Sequence, residues 1–120
     1  MKILVVDDEP VMRSLIETIF LCYTAHDVST ASDGIDGLAK ARKINPDLIV
    51  SDTMMPNMSG PDFLDTYTAE NLGVKTILMS AEEKSYVYNK YPSAAKYAFL
   101  KKPFNIDEFK QLYHEVTKTS

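Results

Sequence analysis

The sequence has little of what marks secreted, membrane-spanning or nucleic-acid-binding proteins. Its 120 residues include one cysteine, Cys22, which excludes a disulfide framework and a paired-cysteine metal site. No apolar run approaches the length of about 20 residues that crosses a bilayer, and the run over residues 3–6 is too short for the core of a signal peptide. The net charge of −4 argues against a basic nucleic-acid-binding face. We therefore expect a cytoplasmic protein with neither membrane insertion nor direct nucleic-acid binding.

Length and composition indicate one globular domain. Hydrophobic residues make up 45% of the chain and charged residues 25%, which is ordinary for a soluble protein. A domain of this size buries roughly two-thirds of its unfolded surface, so it needs no covalent staples. No linker, repeat or low-complexity segment interrupts the sequence. We expect a single domain over residues 1–120, with no effector domain in this chain.

Strand-like and helix-like segments alternate along the whole chain. Predicted strands cover residues 2–6, 26–31, 47–51, 75–79 and 96–100. Predicted helices cover residues 10–23, 33–44, 60–71 and 82–89, and a last helix starts at residue 105. The third strand is apolar without alternation, as is typical of a central parallel strand covered on both faces. Because right-handed crossovers place helices on both faces, the pattern predicts an α/β fold with a doubly wound, five-stranded parallel (βα)₅ sheet.

Several residues mark where the helices should begin and end. Asn45 precedes a proline and should end the second helix. Gly73 is a candidate stop for the third. Asn105 and Glu108 form a capping-box pattern at the start of the last helix. We expect Cys22 to be buried at the end of the first helix.

Polar residues that suit phosphate chemistry follow four of the five strands. Asp7 and Asp8 follow the first strand, Asp52 the third, Ser80 the fourth and Lys102 the fifth. Because the carboxyl ends of parallel strands lie along one edge of a sheet, these side chains should share one crevice. The second strand contributes none, which fits a strand order of 2-1-3-4-5 with the site between strands one and three.

These residue types together favour a divalent cation and a phosphoryl group. Three neighbouring carboxylates repel one another and should raise at least one pKa, and Mg²⁺ relieves such repulsion. Asp52 can serve as a carboxylate nucleophile, with Ser80 and Lys102 on two phosphoryl oxygens. Each residue alone has an ordinary interpretation as a turn, a helix cap, a loop hydroxyl or a surface charge. Their joint occurrence, each after its own strand, favours the site.

Four stretches carry a resemblance to a known family: ILVVDDEP (3–10), PDLIVSDTMMPNMSG (46–60), ILMSA (77–81) and FLKKPF (99–104). The chain resembles the receiver domain of response regulators in two-component signalling over essentially its whole length. The D-x-x-M-P-x-x-x-G pattern from Asp52 to Gly60 and the K-P-F ending are its most specific motifs. The resemblance implies the flavodoxin/CheY-like fold with strand order 2-1-3-4-5.

The resemblance also implies roles for the residues of the acidic crevice. Asp52 corresponds to the phosphoacceptor. Asp7 and Asp8 correspond to the acidic pair that binds Mg²⁺, with Asp8 favoured over Asp7 as the direct ligand, and Asp52 and the backbone carbonyl of Met54 complete the protein's ligand set.

Further family roles fall on the last two strands. Ser80 corresponds to the hydroxyl that hydrogen-bonds the phosphoryl group, and Lys102 to the lysine that precedes a cis bond to Pro103. Phe99 holds the position of the aromatic switch residue. A sensor histidine kinase or a phosphotransfer protein would donate the phosphoryl group, and the face of the fourth helix, fifth strand and last helix would change shape. That face would bind an unknown downstream protein and can mediate homodimerisation.

The chain departs from the family pattern in two places. Phe99 lacks the hydroxyl of the tyrosine that is common at the switch position, and residues 82–97 lack the G-A-D-like sequence before the last strand. Met54 and Glu82 occupy positions that tune dephosphorylation in the family. The family's members assist their own phosphorylation and dephosphorylation and do not turn over an external substrate.

Two alternative functions stay open at this point. One is a Mg²⁺-dependent phosphohydrolase with Asp7 as its aspartyl nucleophile, although the D-D-E sequence matches the D-x-D motif of such enzymes poorly. The other is a pseudo-receiver that acts only as an interaction module, although the acidic and lysine residues that such domains lack are present here.

Overall fold

The computed structural model describes residues 1–23 and 27–118, which form a five-stranded parallel sheet with helices on both faces. The strands are β1 (Lys2–Val6), β2 (Asp27–Ala31), β3 (Leu48–Asp52), β4 (Lys75–Ser80) and β5 (Ala98–Lys101). The order in the sheet is β2-β1-β3-β4-β5, and every neighbouring pair is parallel. The predicted doubly wound fold and strand order are confirmed.

In the described part of the chain, five α-helices connect and follow the strands. They are α1 (Pro10–Tyr23), α2 (Gly34–Ile44), α3 (Gly60–Glu70), α4 (Lys84–Lys90) and α5 (Ile106–Thr117). A short 3-10 helix, Pro92–Lys96, lies between α4 and β5. No helix among residues 1–23 and 27–118 is long and apolar enough to cross a membrane.

Two hydrophobic cores lie on opposite faces of the sheet. Leu4 and Val6 of β1 pack into the core that also contains Phe63 and Leu64 of α3. Ile3 and Val5 of the same strand pack into the other core, with residues of α1 and α5. Because successive side chains of a strand point to opposite faces, a strand between two cores has to be apolar at every position. This explains the unbroken apolar runs that end at the candidate site.

The helix termini follow the sequence signals in two of three cases. Asn45 adopts a left-handed conformation with φ of 51° and caps α2. Asn105 and Glu108 form the predicted capping box at α5. The prediction for Gly73 was wrong, because α3 ends earlier, where the backbone N–H of Asn71 bonds to Tyr67.

The end of α1 also differs from the prediction. Cys22 is exposed, not buried. Ile19 and Phe20 face the core, and Cys22 lies about 200° around the helix from Phe20, so it points away from the sheet. Strand β2 starts at Asp27, and the predicted start at His26 lies outside the described residues.

The segment before β5 takes a course that the sequence pattern did not indicate. The helix predicted over residues 82–89 is the shorter α4, and the strand predicted from residue 96 starts at Ala98. Lys96 belongs to the 3-10 helix, and Tyr97 is buried with its hydroxyl bonded to Asp65 of α3. This contact holds the entry of β5 against α3.

Candidate functional site

The ends of four strands bring the predicted residues to one edge of the sheet. Asp52 is the last residue of β3 and pairs with Met79 of β4. Ser80 ends β4, and its carbonyl accepts the backbone N–H of Lys102 at 2.7 Å. A cleft of about 230 Å³ opens at this edge. Its lining residues are Asp8, Glu9, Asp52, Met54, Ser80, Ala81, Glu82 and Lys102.

Lys102 is the centre of the charge network in this cleft. Its Nζ lies 2.8 Å from Asp7 Oδ2, 3.3 Å from Asp52 Oδ1 and 3.3 Å from Glu9 Oε1. The Asp7 side chain is 0% exposed and that of Lys102 8%, whereas that of Glu9 is 65% exposed. A buried ammonium in contact with buried carboxylates satisfies the rule that charges inside a protein are paired.

The surroundings of Lys102 keep its side chain charged. Burial opposes the charge, but the hydrogen bond to Asp7 and the negative charges of Asp52 and Asp7 outweigh it, so the pKa of Lys102 is raised. The side chain is therefore an ammonium donor at neutral pH, as a contact to a phosphoryl oxygen requires.

The carboxyl of Asp52 is in an unfavourable environment for its negative charge. Burial, followed by repulsion from Asp7, raises the pKa of Asp52 to about 6, although Lys102 and the backbone N–H of Thr53 oppose the change. The predicted upward shift within the acidic set is confirmed for Asp52. A cation beside this carboxylate would relieve the repulsion.

Four acidic residues are close enough to share a cation. One carboxylate oxygen each from Asp7, Asp8, Glu9 and Asp52 can be chosen so that all four lie within 4.8 Å of one another. Hard oxygen ligands with partial exposure to water fit Mg²⁺, which keeps several of its waters. The raised pKa of Asp52 indicates the same need for positive charge. Met54 lines the cleft, and the role of its carbonyl as a ligand stays a prediction.

Backbone contacts hold the acidic residues in place. The N–H of Glu9 donates to Asp7 Oδ1 at 2.9 Å, and Arg13 Nη1 donates to the Asp7 carbonyl at 2.7 Å. Gly60 packs so closely under the end of β3 that a Cβ there would lie 2.0 Å from the Asp52 carbonyl oxygen. The glycine of the D-x-x-M-P-x-x-x-G motif therefore lets α3 begin directly beneath the acidic residue.

The remaining predicted residues lie around the cleft. Ser80 is buried, and its Oγ accepts the backbone N–H of Glu82 at 2.9 Å. The Lys102–Pro103 peptide bond is cis, as predicted.

Phe99 lies on β5, outside the set of residues that line the cleft. Its half-buried ring meets the ring of Tyr88 edge to face at a centroid distance of 6.1 Å. Lys84 Nζ lies 5.8 Å from the centroid of the same ring.

Sequence reasoning missed Glu9 as a member of this site. Its position directly after Asp7-Asp8 was the only signal, and an acidic residue at the start of a helix has an ordinary electrostatic explanation. Its contact with Lys102 joins residues 93 positions apart and depends on the tertiary fold.

Comparison with known proteins gives a consistent result. The family model described as the response regulator receiver domain matches residues 3–114. The probable transcriptional regulatory protein TcrX of Mycobacterium tuberculosis is 37% identical over 106 residues, which cover 88% of this chain and 45% of that protein. The chemotaxis protein CheY of Listeria monocytogenes is 29% identical over 119 residues, which cover 98% of this chain and 99% of that protein.

Solved structures show the same fold. The response regulator protein TrrA of Thermotoga maritima, in complex with Mg²⁺-BeF, superposes with a TM-score of 0.83 at 31% identity. The match covers 96% of this chain and 97% of the other. In contrast, the chain spans less than half the length of TcrX. The likeness to TcrX therefore concerns one part of that protein.

Proposed function

Because this chain belongs to the response regulator receiver domain family, we propose that it is a phosphorylation-dependent signalling switch with Asp52 as its phosphoacceptor. The observation that carries the proposal is the contact of Lys102 Nζ with both Asp7 and Asp52, at 2.8 and 3.3 Å, in a cleft that Ser80 also lines. Residues from four strand ends thus meet where a carboxylate can accept a phosphoryl group.

The proposed transfer makes one bond and breaks one. A carboxylate oxygen of Asp52 forms a P–O bond while the P–N bond to a phosphohistidine of the donor protein breaks. The electron pair of the broken bond stays on the imidazole nitrogen, which is protonated after transfer. Negative charge spreads over the phosphoryl oxygens, so fixed donors around them lower the barrier. Lys102 supplies one donor, and Ser80 supplies its hydroxyl once the phosphoryl group is present.

Mg²⁺ is the cation proposed for the acidic cluster. Asp7, Asp8 and Asp52 would hold it through carboxylate oxygens, and Met54 through its backbone carbonyl. When bound, Mg²⁺ neutralises the carboxylates and one phosphoryl oxygen. The acidic cluster of this chain and the Mg²⁺-BeF complex of TrrA support this assignment.

The proposed response connects the site to the face formed by α4, β5 and α5. Ser80 moves toward the phosphoryl group, and Phe99 turns inward from its present contact with Tyr88, which lies on α4. A difference of a few kcal/mol between two arrangements is enough to change which partner binds. The same face is the proposed surface for homodimerisation and for the downstream protein.

The donor is proposed to be a sensor histidine kinase or a phosphotransfer protein, and this chain is proposed to act in the cytoplasm. In this scheme the chain assists its own phosphorylation and dephosphorylation and turns over no external substrate. The proposed receiver domain extends over residues 1–120 and acts on an unknown downstream protein. The matched relatives include a regulator more than twice as long as the matched segment and a CheY of almost equal length.

The structure gives reasons to prefer this function over the phosphohydrolase. That enzyme would need Asp7 as an accessible nucleophile, but the Asp7 side chain is fully buried. Both of its oxygens accept hydrogen bonds, one from Lys102 and one from the N–H of Glu9. Asp52 lines the open cleft instead.

Intact-mass measurement after incubation with acetyl phosphate and Mg²⁺ tests the proposed function. We expect the wild type to gain one phosphoryl group and Asp52→Asn to gain none. Asp62→Asn, which removes an exposed carboxylate of α3, is the matched control and should gain it normally. Incorporation that persists in Asp52→Asn and disappears in Asp7→Asn would favour the phosphohydrolase.

A further inference from the structure

Lys102 Nζ contacts three carboxylates before any phosphoryl group arrives, and it donates hydrogen bonds to two of them, Asp7 and Glu9. An ammonium group has three donors. Among the described residues, its acidic contacts are Asp7, Asp52 and Glu9. A phosphoryl oxygen that binds this ammonium therefore competes for it with the carboxylates already in contact.

The three contacts differ in how easily they can be lost. The Asp7 contact is the shortest and is fully buried, so breaking it would leave a charge unpaired inside the protein. The Asp52 contact belongs to the group that carries the phosphate. The Glu9 contact is 3.3 Å long, and its side chain is 65% exposed, so the free carboxylate is readily solvated by water.

We propose that Glu9 is a positioning residue that occupies, in the unphosphorylated protein, the place on Lys102 that a phosphoryl oxygen takes later. The inference rests on the proposed function of the same site. Glu9 keeps the ammonium aimed into the cleft, and at the same time it competes with the incoming anion. Its removal should therefore strengthen the binding of a phosphoryl group or its analogue.

Glu82 provides a matched control within the same cleft. It has the same charge, is exposed and lines the cleft, but the structure records no hydrogen bond or ion pair between its described side chain and Lys102. Glu82→Gln therefore measures the effect of removing one negative charge near the anion. Any additional effect of Glu9→Gln reports the contact with Lys102.

The test is the affinity for beryllofluoride, measured by titration calorimetry at saturating Mg²⁺ and low ionic strength. Saturating Mg²⁺ prevents a weaker cation affinity from affecting the comparison. We expect Glu9→Gln to tighten binding about threefold to tenfold, the range for losing one competing, partly exposed charge contact. Glu82→Gln should tighten it by less than about twofold, because exposed charges without contact are screened.

Two outcomes would overturn the inference. One is an equal effect of both substitutions, which would mean that only the local charge matters. The other is unchanged or weaker binding in Glu9→Gln, which would mean that Glu9 supports the site without competing for Lys102. A residue with a merely structural role would not tighten binding when removed. Urea unfolding of both variants without ligand shows that each is folded.

Failure of the proposed function would give different measurements from failure of the Glu9 inference. In that case the wild type would show no Asp52-dependent phosphoryl gain, and Asp52→Asn would bind beryllofluoride as tightly as the wild type does. If the wild type responds normally and only the Glu9 comparison fails, the phosphoacceptor assignment stands and the role of Glu9 is refuted.

Discussion

The hydroxyl of Tyr97 donates a hydrogen bond of 2.5 Å to Asp65 Oδ1, and this contact ties the entry of β5 to α3. Ser93 Oγ donates to the other oxygen of Asp65, and Lys96 Nζ lies 3.4 Å from Oδ1. Three residues of the segment that departs from the family pattern thus converge on one carboxylate. These contacts set the position of β5, which carries Phe99 and leads to Lys102.

Removing the Tyr97 hydroxyl should destabilise the protein measurably. In Tyr97→Phe the ring still fills its buried position, but Asp65 loses a donor, so we expect the free energy of unfolding to fall by about 1–2 kcal/mol. Urea denaturation measures this change. Tyr86→Phe, at a half-exposed tyrosine of α4, is the control and should lie within about 0.5 kcal/mol of the wild type. Equal stability of all three proteins would show that the contact with Asp65 contributes nothing.

The charge of Asp52 should make the metal-free protein less stable at neutral pH. Its pKa in the folded state is raised to about 6, so the favourable contribution of the protonated carboxyl is complete below the unfolded pKa of about 3.9. This contribution is lost as the pH rises through 6. Asp52→Asn, which carries no charge, should therefore be more stable than the wild type at pH 7.5 by about 1–3 kcal/mol.

Urea denaturation at a series of pH values tests whether ionisation of Asp52 lowers the stability of the wild type. The advantage of Asp52→Asn should shrink between pH 7 and pH 4, and Mg²⁺ should reduce it at pH 7.5 by stabilising the ionised wild type. An advantage that is independent of pH would contradict the assignment of the effect to ionisation.

Substitution of alanine for two glycines should have different effects on the stability of the protein. A Cβ at Gly60 would lie 2.0 Å from the Asp52 carbonyl oxygen, so Gly60→Ala should displace the start of α3 and cost about 2–4 kcal/mol of stability. A Cβ at Gly73 would meet no atom within 4 Å, so Gly73→Ala should be neutral or slightly stabilising. Thermal unfolding of both variants tests whether Gly60 packs directly against the Asp52 carbonyl. An unchanged melting temperature of Gly60→Ala would refute this packing.

Substitutions of two adjacent lysines should also lower the stability of the protein by different amounts. Lys102→Gln leaves the buried Asp7 without its cation, so we expect a loss of about 3–5 kcal/mol. Lys101→Gln removes a contact of 3.5 Å with the exposed Glu83 and a hydrogen bond of 3.2 Å to the Lys102 carbonyl, both partly exposed, and should cost less than about 1 kcal/mol. Urea denaturation at pH 7.5 compares them. Similar losses in both variants would mean that the buried pair does not stabilise the fold.

The fold and most of the site were predictable because they depend on local patterns. Largely apolar runs of three or four residues marked four of the strands, and the polar residue after each run marked the edge where they meet. The absence of such a residue after the second strand gave the strand order. Asp7, Asp52, Ser80 and Lys102 all lie at this edge, as predicted.

What was missed depends on contacts between distant parts of the chain. Tyr97 joins Asp65 across 32 positions, and no local period indicates that a tyrosine before the last strand will turn toward α3. Glu9 reaches Lys102 across 93 positions. The burial of Cys22 was predicted wrongly because the width of the buried stripe on α1 depends on how closely the neighbouring elements cover it.

The contact of Lys102 with Asp7 and Asp52 has a consequence for protein synthesis. The acidic residues leave the ribosome early, whereas Lys102, the buried cation that pairs with Asp7 and Asp52, comes from the segment after β5. Until about residue 102 has emerged and docked, the nascent sheet carries neighbouring carboxylates whose repulsion opposes closure of its edge. A partly synthesised chain therefore lacks the ammonium donor that we propose contacts the phosphoryl group. Competence to receive a signal would arise only when the last strand joins the sheet.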